Sequence, residues 1–158
     1  MQNDVIKSYS SIQLNINKNK KVNQNVKIIS VSKTFSVEKI FPLIKNGNIH
    51  FGENKVQEAI HKWTNIKKEY PKIKLHMIGK LQSNKASNAI KLFDYIHSLD
   101  NQKLADTLYK SEKKNNKKLK YFIQVNVGNE NQKSGITTNS IDQFYNYCTK
   151  EINLDVIG

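Results

Sequence analysis

The sequence has 158 residues, which fits one folded domain with a substantial core. Its single cysteine excludes an internal disulfide, and its apolar runs are too short to cross a bilayer. The formal net charge of +13 would suit a nucleic-acid-binding protein, but all 26 basic residues are scattered lysines, and arginine is the residue that reads guanine edges. We expect a solvated lysine coat, no nucleic acid, no membrane and, without an export signal, a cytoplasmic protein.

Hydrophobic spacing predicts an opening helix over residues 4–17, a polar linker over 18–25, and then six alternations of strand and helix. The apolar stripe of the opening helix would be Val5, Tyr9, Ile12 and Ile16. The predicted strands cover residues 27–34, 48–53, 74–79, 95–100, 119–127 and 154–158. The helices between them are predicted to begin at Ser36, Asn54, Ser83 or Asn84, Asp100 or Asn101, and 138–140.

This alternation suits parallel strands joined by helices, and two α/β architectures fit it. One is an open doubly wound sheet, and the other is a (β/α)₈ barrel, of which this chain would supply the first six units. No glycine-rich phosphate-binding loop follows the first strand, which removes the usual support for a nucleotide-binding open sheet.

Polar residues follow the predicted strands, where ligands bind in both architectures. Lys33 ends the first apolar run, and a lysine shielded from water there can attack an aldehyde. Gly52 and Gly79 lie where a backbone can approach a flat ligand. In a barrel, one rim would carry Lys33, Glu53, Asn54, His76, Gly79, His97, Ser98, Asp100, Asn126 and Lys133.

Other chemistry has little support in the sequence. The four histidines, at positions 50, 61, 76 and 97, lack the spacing of metal ligands, so we expect no metal site. Cys148 falls on the apolar face of a predicted helix and is expected in the core, not as a nucleophile. His76, considered alone, is expected to be a buried, hydrogen-bonded histidine.

Six motifs occur together in a characteristic order and spacing. In that order they resemble the pyridoxal phosphate homeostasis protein family, which is itself similar to the barrel domain of bacterial alanine racemase. The motifs are Val31-Ser32-Lys33-Thr34, Phe51-Gly52-Glu53-Asn54, Val56-Gln57-Glu58, His76-Met77-Ile78-Gly79 with Leu81-Gln82-Ser83-Asn84-Lys85, Ile96-His97-Ser98, and Gln124-Val125-Asn126 with Lys133-Ser134-Gly135.

The resemblance implies a single domain over residues 1–158, a TIM-type (β/α)₈ barrel of PLP fold type III with about six units present. It implies pyridoxal 5'-phosphate (PLP) held as a Schiff base on Lys33, with Asn54, His76 and Gly79 in the cofactor wall and Lys133 as a second lysine near the rim. It implies no catalytic residues and no established activity. The protein would be a monomer that holds the reactive vitamin B6 aldehyde safely and passes it to apo-enzymes.

Two rival functions stay open from the sequence. A PLP-dependent amino-acid racemase needs an acid/base group on each cofactor face, often lysine and tyrosine, and we find no tyrosine at a predicted strand end. A lysine-rich nucleic-acid binder is motivated by charge alone.

The sequence also departs from the family pattern. Phe35 replaces a second lysine, and Lys55 replaces a tyrosine. Two further strands, whose loops hold the cofactor's phosphate in the family, do not follow, so we expect exposed edges on the first and sixth strands. Losing those charge-assisted hydrogen bonds should weaken cofactor binding by several kcal/mol.

Overall fold

The computed structural model describes residues 2–21, 25–128, 130 and 132–158, with side chains from residue 4 onward. Six strands in this part of the chain form one sheet. The strands are β1 Ser30–Val31, β2 His50–Glu53, β3 Lys74–Met77, β4 Tyr95–Leu99, β5 Lys120–Ile123 and β6 Asp155–Val156. The α-helices are α1 Gln2–Asn19, α2 Val37–Lys45, α3 Val56–Glu69, α4 Ala86–Leu92, α5 Gln102–Asn115 and α6 Ile141–Asn146.

The order of the strands decides between the two predicted architectures. They are all parallel, and the sheet order is β1-β2-β3-β4-β5-β6, so each strand pairs with its neighbours in the chain. A doubly wound sheet reverses its order at a switch point, whereas a barrel continues in one direction. The consecutive order therefore confirms six units of a barrel-type fold, and β1 and β6 are its edges within the described residues.

All six strands are shorter than the runs predicted for them, most clearly β1 and β5. The run at 27–34 pairs only at Ser30–Val31, and the run at 119–127 pairs regularly only at Lys120–Ile123. Among the described residues β1 has one neighbour, β2. Their pairing ends because the chain turns away after Ser32, where the Phe35 N–H donates to the Ser32 carbonyl at 3.0 Å. Hydrophobic runs gave the strand positions correctly, but not the extent of pairing.

Helix starts were predicted well, with two corrections: α3, described below, and α4, which begins after Lys85 because Ser83 and Asn84 lie in a 3-10 turn, Ser83–Lys85, that precedes it. Ser36 occupies the N-cap position of α2 without a side-chain capping hydrogen bond, and Asn101 caps α5 by accepting a 2.9 Å hydrogen bond from the Leu104 N–H. Helix α3 begins after Lys55, so the prediction that Asn54 caps it was wrong. The Asn54 backbone lies against Gly79 instead, as described below.

The predicted buried stripe of α1 is only partly present. Tyr9 and Ile16 are half-buried, while Val5 is 37% and Ile12 is 50% exposed. None of the helices in the described ranges has the length and hydrophobicity required to span a membrane.

The core lies between the sheet and its helices. Its largest sheet residues are almost fully buried: Phe51, Leu75, Met77, Ile96 and Tyr121. Phe51 packs against Trp63 of α3, with ring centroids 4.9 Å apart. Because side chains alternate along a strand, residues between these core positions point to the opposite face, which we call the open face.

Candidate functional site

Lys33 lies two residues beyond the end of β1, in the turn that Ser32 and Phe35 close. Ser32 is buried toward the helix layer, whereas Val31 is 47% exposed. The Lys33 ammonium has no hydrogen-bond or ion-pair partner among the described residues, and the side chain is exposed. The amine therefore lacks the shielding from water that was predicted for it. It lies beyond β1, which is an edge strand among the described residues and pairs over only two residues.

Three histidines form a hydrogen-bonded row across the open face. His50 Nδ1 lies 2.9 Å from His76 Nε2, and His76 Nδ1 lies 2.9 Å from His97 Nε2. The His76 ring stacks on Tyr95 at 4.2 Å, and the His97 ring stacks on Phe122 at 4.4 Å. His76 is thus buried and hydrogen-bonded, as expected, and its ring nitrogens are both engaged.

Burial keeps this histidine row neutral. It lowers the pKa of His76 to about 3, with smaller contributions from the neighbouring histidines, and it also lowers the pKa values of His50 and His97. A neutral imidazole has one N–H, so His76 donates to one neighbour and accepts from the other. The row therefore supplies a rigid, uncharged floor to the open face.

A cavity of about 430 Å³ lies between the ends of β3 and β5. It contains two predicted site residues, Asn126 and Lys133, and its wall also includes Ile78, Lys80 and Gln124. The Lys133 ammonium pairs with Glu130 at 2.5 Å and is mostly exposed. The Asn126 amide nitrogen donates to the Glu130 carbonyl at 2.9 Å, which holds the loop after β5 over the cavity.

Asn54 lies in a second cavity, of about 290 Å³, with Lys55 and Lys80 in its wall. Lys80 borders both cavities, so the loop after β3 separates them. The structure therefore does not gather the predicted cofactor wall in one pocket. Asn54 and Lys133 occupy different cavities, and His76 lies in the histidine row.

Gly52 and Gly79, at the ends of strands, allow other parts of this chain, and not a ligand, to pack closely against them. A Cβ on Gly79 would lie 2.3 Å from the Asn54 carbonyl oxygen, so this glycine permits close approach of the two loops. A Cβ on Gly52 would lie 3.2 Å from side-chain carbons of both Ile29 and Ile78. Side chains from both neighbouring strand regions thus approach Gly52, and a side chain at this position would have to displace them.

Two residues of the predicted rim point the other way. Glu53 is fully buried and accepts a hydrogen bond from Trp63 in the helix layer, and Ser98 is 2% exposed with no partner for its hydroxyl among the described residues. Alternation explains Glu53, because it is two residues from the core residue Phe51.

Metal and thiol chemistry find no support in this geometry. Within the described ranges, no group of three or more histidine, cysteine, aspartate or glutamate side chains is placed to hold a metal ion. Cys148 is completely buried, as predicted, and burial raises the pKa of its thiol to about 12. It lies in a short π-helical turn, Tyr147–Glu151, that continues α6.

The family model described as alanine racemase, N-terminal domain, matches residues 8–158. The chain belongs to this family. Its curated relatives include the pyridoxal phosphate homeostasis protein of Vibrio alginolyticus, 35% identical over 114 residues, which are 71% of this chain and 49% of the relative. The corresponding protein of Buchnera aphidicola is 41% identical over 98 residues, 62% of this chain and 42% of the relative. The chain thus spans about half the length of these relatives.

Two solved structures share the fold of this chain. PipY of Synechococcus elongatus with PLP bound is 30% identical, with a TM-score of 0.73 over 91% of this chain and 64% of PipY. A protein from Bifidobacterium adolescentis, at 22% identity, gives a TM-score of 0.80 over 98% of this chain and 65% of its own. These comparisons confirm the resemblance and the barrel-type fold that the motifs indicated.

Sequence reasoning missed the histidine row of this family member. The three histidines were compared with metal-ligand spacings, which they do not have. Their common feature is the face of the sheet they occupy, and this depends on the register, in which Gly52 pairs with His76 and His76 with Tyr95. Alternation within each strand could have shown which face of the sheet each histidine occupies. The register between strands, which brings the three rings together, cannot be read from the sequence.

Proposed function

We propose that the chain binds PLP as a Schiff base on Lys33 and takes part in PLP homeostasis. One observation carries the proposal: the Lys33 amine is exposed and without a partner among the described residues, in the turn just past the carboxyl end of β1. The similarity to PipY, whose solved structure has PLP bound, supports the choice of ligand. In forming the linkage, the amine nitrogen bonds to the aldehyde carbon and one water leaves.

The residues beyond Lys33 fit the other parts of the cofactor. PLP carries an anionic phosphate, and the wall of the larger cavity contains Lys80 as well as Lys133, whose ammonium is paired with Glu130 of the same wall. The cavity volume of about 430 Å³ is within the usual range for small-ligand pockets. Two strand spacings of about 4.8 Å separate β1 from β3, and β2 lies between them.

Three further residues support this site indirectly. We assign the His76 ring to the floor, where it is fixed by His50, His97 and Tyr95. Gly79 allows the loop that carries Asn54 to lie against the loop after β3. Asn54 then contributes a polar group from the neighbouring cavity.

The geometry supports a carrier over a racemase. Tyr95 begins β4 and stacks on His76, far from the strand end where an acid/base group would be needed. Among the described residues that line the two cavities, none is a tyrosine. Transfer of PLP to apo-enzymes and a monomeric state, which the resemblance implied, stay predictions.

Spectroscopic titration with PLP tests the proposal. The wild-type chain should develop the near-violet absorbance of the bound cofactor, and Lys33→Ala should lose it. Lys120→Ala is the matched control, because Lys120 is an exposed lysine at the opposite, amino end of β5. Equal absorbance in wild type and Lys33→Ala, or none in either, would contradict the proposal.

A further inference from the structure

A buried carboxylate lies directly beneath the Lys33 turn. Glu53, the last residue of β2, has no exposed side-chain surface. Its Oε1 atom accepts three hydrogen bonds: from Ser32 Oγ at 2.8 Å, Lys62 Nζ at 2.9 Å and Trp63 Nε1 at 2.9 Å. These donors come from the end of β1 and from α3, so one oxygen joins three elements.

The same cluster holds Ser32 by each of its polar groups. The Ser32 N–H donates to the Gly52 carbonyl at 2.9 Å, its hydroxyl donates to Glu53, and its carbonyl accepts from Lys62 Nζ at 2.7 Å. That carbonyl also closes the turn by accepting the Phe35 N–H. Lys33 is the next residue, so the start of its backbone is fixed by groups that belong to Glu53 and α3.

The cluster matters because β1 has little else to hold it. The strand pairs with β2 over only Ser30 and Val31, and it has no second neighbour among the described residues. A buried ion pair carries a desolvation penalty, since both charges lose hydration. Here Lys62 is only 12% exposed. Glu53 Oε2 is buried without a partner within the described ranges, which adds to that penalty.

We propose that Glu53, Lys62 and Trp63 form a clamp that positions Lys33 through Ser32. Glu53 is a positioning residue, because its carboxylate faces the helix layer and acts on the amine only through the turn. This inference rests on the proposed role of Lys33 and adds the device that fixes its geometry.

Glu53→Gln tests the clamp, and the chain provides a matched control. Glu112 of α5 is also buried, and its Oε1 accepts from the Leu119 N–H at 2.6 Å and from Tyr121 Oη at 2.9 Å, at β5. Glu112→Gln makes the same chemical change at a buried anchor remote from β1. Both variants are expected to lower the melting temperature.

The readout that separates them is amide hydrogen exchange at Phe35, which needs no cofactor. Exchange there should be about tenfold faster in Glu53→Gln, because a charge-assisted anchor of the turn is weakened, and unchanged in Glu112→Gln. Should Glu53→Gln fail to fold, Trp63→Phe removes one donor and keeps an aromatic ring. Unchanged Phe35 exchange in these clamp variants, or equal acceleration in Glu112→Gln, would overturn the clamp.

PLP affinity gives the second readout. The Kd should rise about tenfold in Glu53→Gln and stay near wild type in Glu112→Gln when both are measured below their melting temperatures. An equal rise in both variants would show that Glu53 acts through stability alone and would overturn its positioning role. If wild type does not bind PLP, the proposed function fails, whereas Phe35 exchange still decides whether the clamp holds the turn.

Discussion

At the scale of single residues, His76 shows how burial turns a titratable group into a structural one. Its ring lies between Tyr95 and two histidines, and its pKa is lowered from 6.5 to about 3, first by burial. A histidine that is neutral when folded and free to take up a proton when unfolded links stability to pH. The unfolded chain then binds more protons below about pH 6.5, so the folded state loses stability as the pH falls.

We predict that this residue makes the chain sensitive to mild acid. Its contribution is fully present above about pH 6.5 and declines toward pH 3, by a few kcal/mol. Melting temperatures measured between these limits should fall less steeply in His76→Asn than in wild type. His61→Asn, at an exposed position on α3, is the control and should follow wild type. An unchanged slope in His76→Asn would contradict the assignment.

At the scale of elements, the packing of loops at the strand ends depends on Gly79. A Cβ there would lie 2.3 Å from the Asn54 carbonyl oxygen and 2.8 Å from its Cα, both backbone atoms that cannot rotate away. We predict that Gly79→Ala destabilises the chain by about 1–3 kcal/mol in denaturant unfolding. In the control Gly128→Ala, the nearest contact is the flexible end of Glu130 at 3.1 Å, so the effect should be smaller. The reverse order would refute this account of Gly79.

A second element-scale anchor joins α5 to β5. Tyr121 is fully buried and its hydroxyl donates to Glu112, so Tyr121→Phe leaves a buried carboxylate short of one donor. We predict a loss of about 1–3 kcal/mol in the free energy of unfolding. Tyr109→Phe is the control, since the Tyr109 hydroxyl has no hydrogen bond among the described residues. Similar losses in both variants would show that the hydrogen bond contributes little.

Sequence patterns predicted the elements better than the contacts between them. Six apolar runs located six strands, because strands of a parallel sheet covered by helices are rich in buried apolar side chains. Glu53 lies two residues after Phe51 on the same strand, so alternation places both side chains on the face that packs against the helices. This was visible in the sequence, yet Glu53 was assigned to the rim. The histidine row was not predictable in this way, because it depends on the register between strands. Lys33 lies two residues past the end of β1, near the predicted position, but the turn that carries it, and hence its exposure, was not predicted.

At the scale of the whole molecule, the net charge of +13 arises from 26 lysines against 13 acidic residues. Several lysines are used inside the fold: Lys67 pairs with Asp94 at 2.6 Å, and Lys117 donates to the Phe93 carbonyl at 2.8 Å. We predict no mobility shift with short duplex DNA at low salt. Tight binding that weakens steeply with salt would instead support a nucleic-acid function.

The most direct test of the central claim is to locate the covalent attachment of PLP. The chain is incubated with PLP, the linkage is reduced with borohydride, and the modified peptide is identified by mass spectrometry. The account predicts that the label is on Lys33 at low PLP concentration, although 26 lysines are available. A label on another lysine, or one spread evenly over many of them, would contradict it.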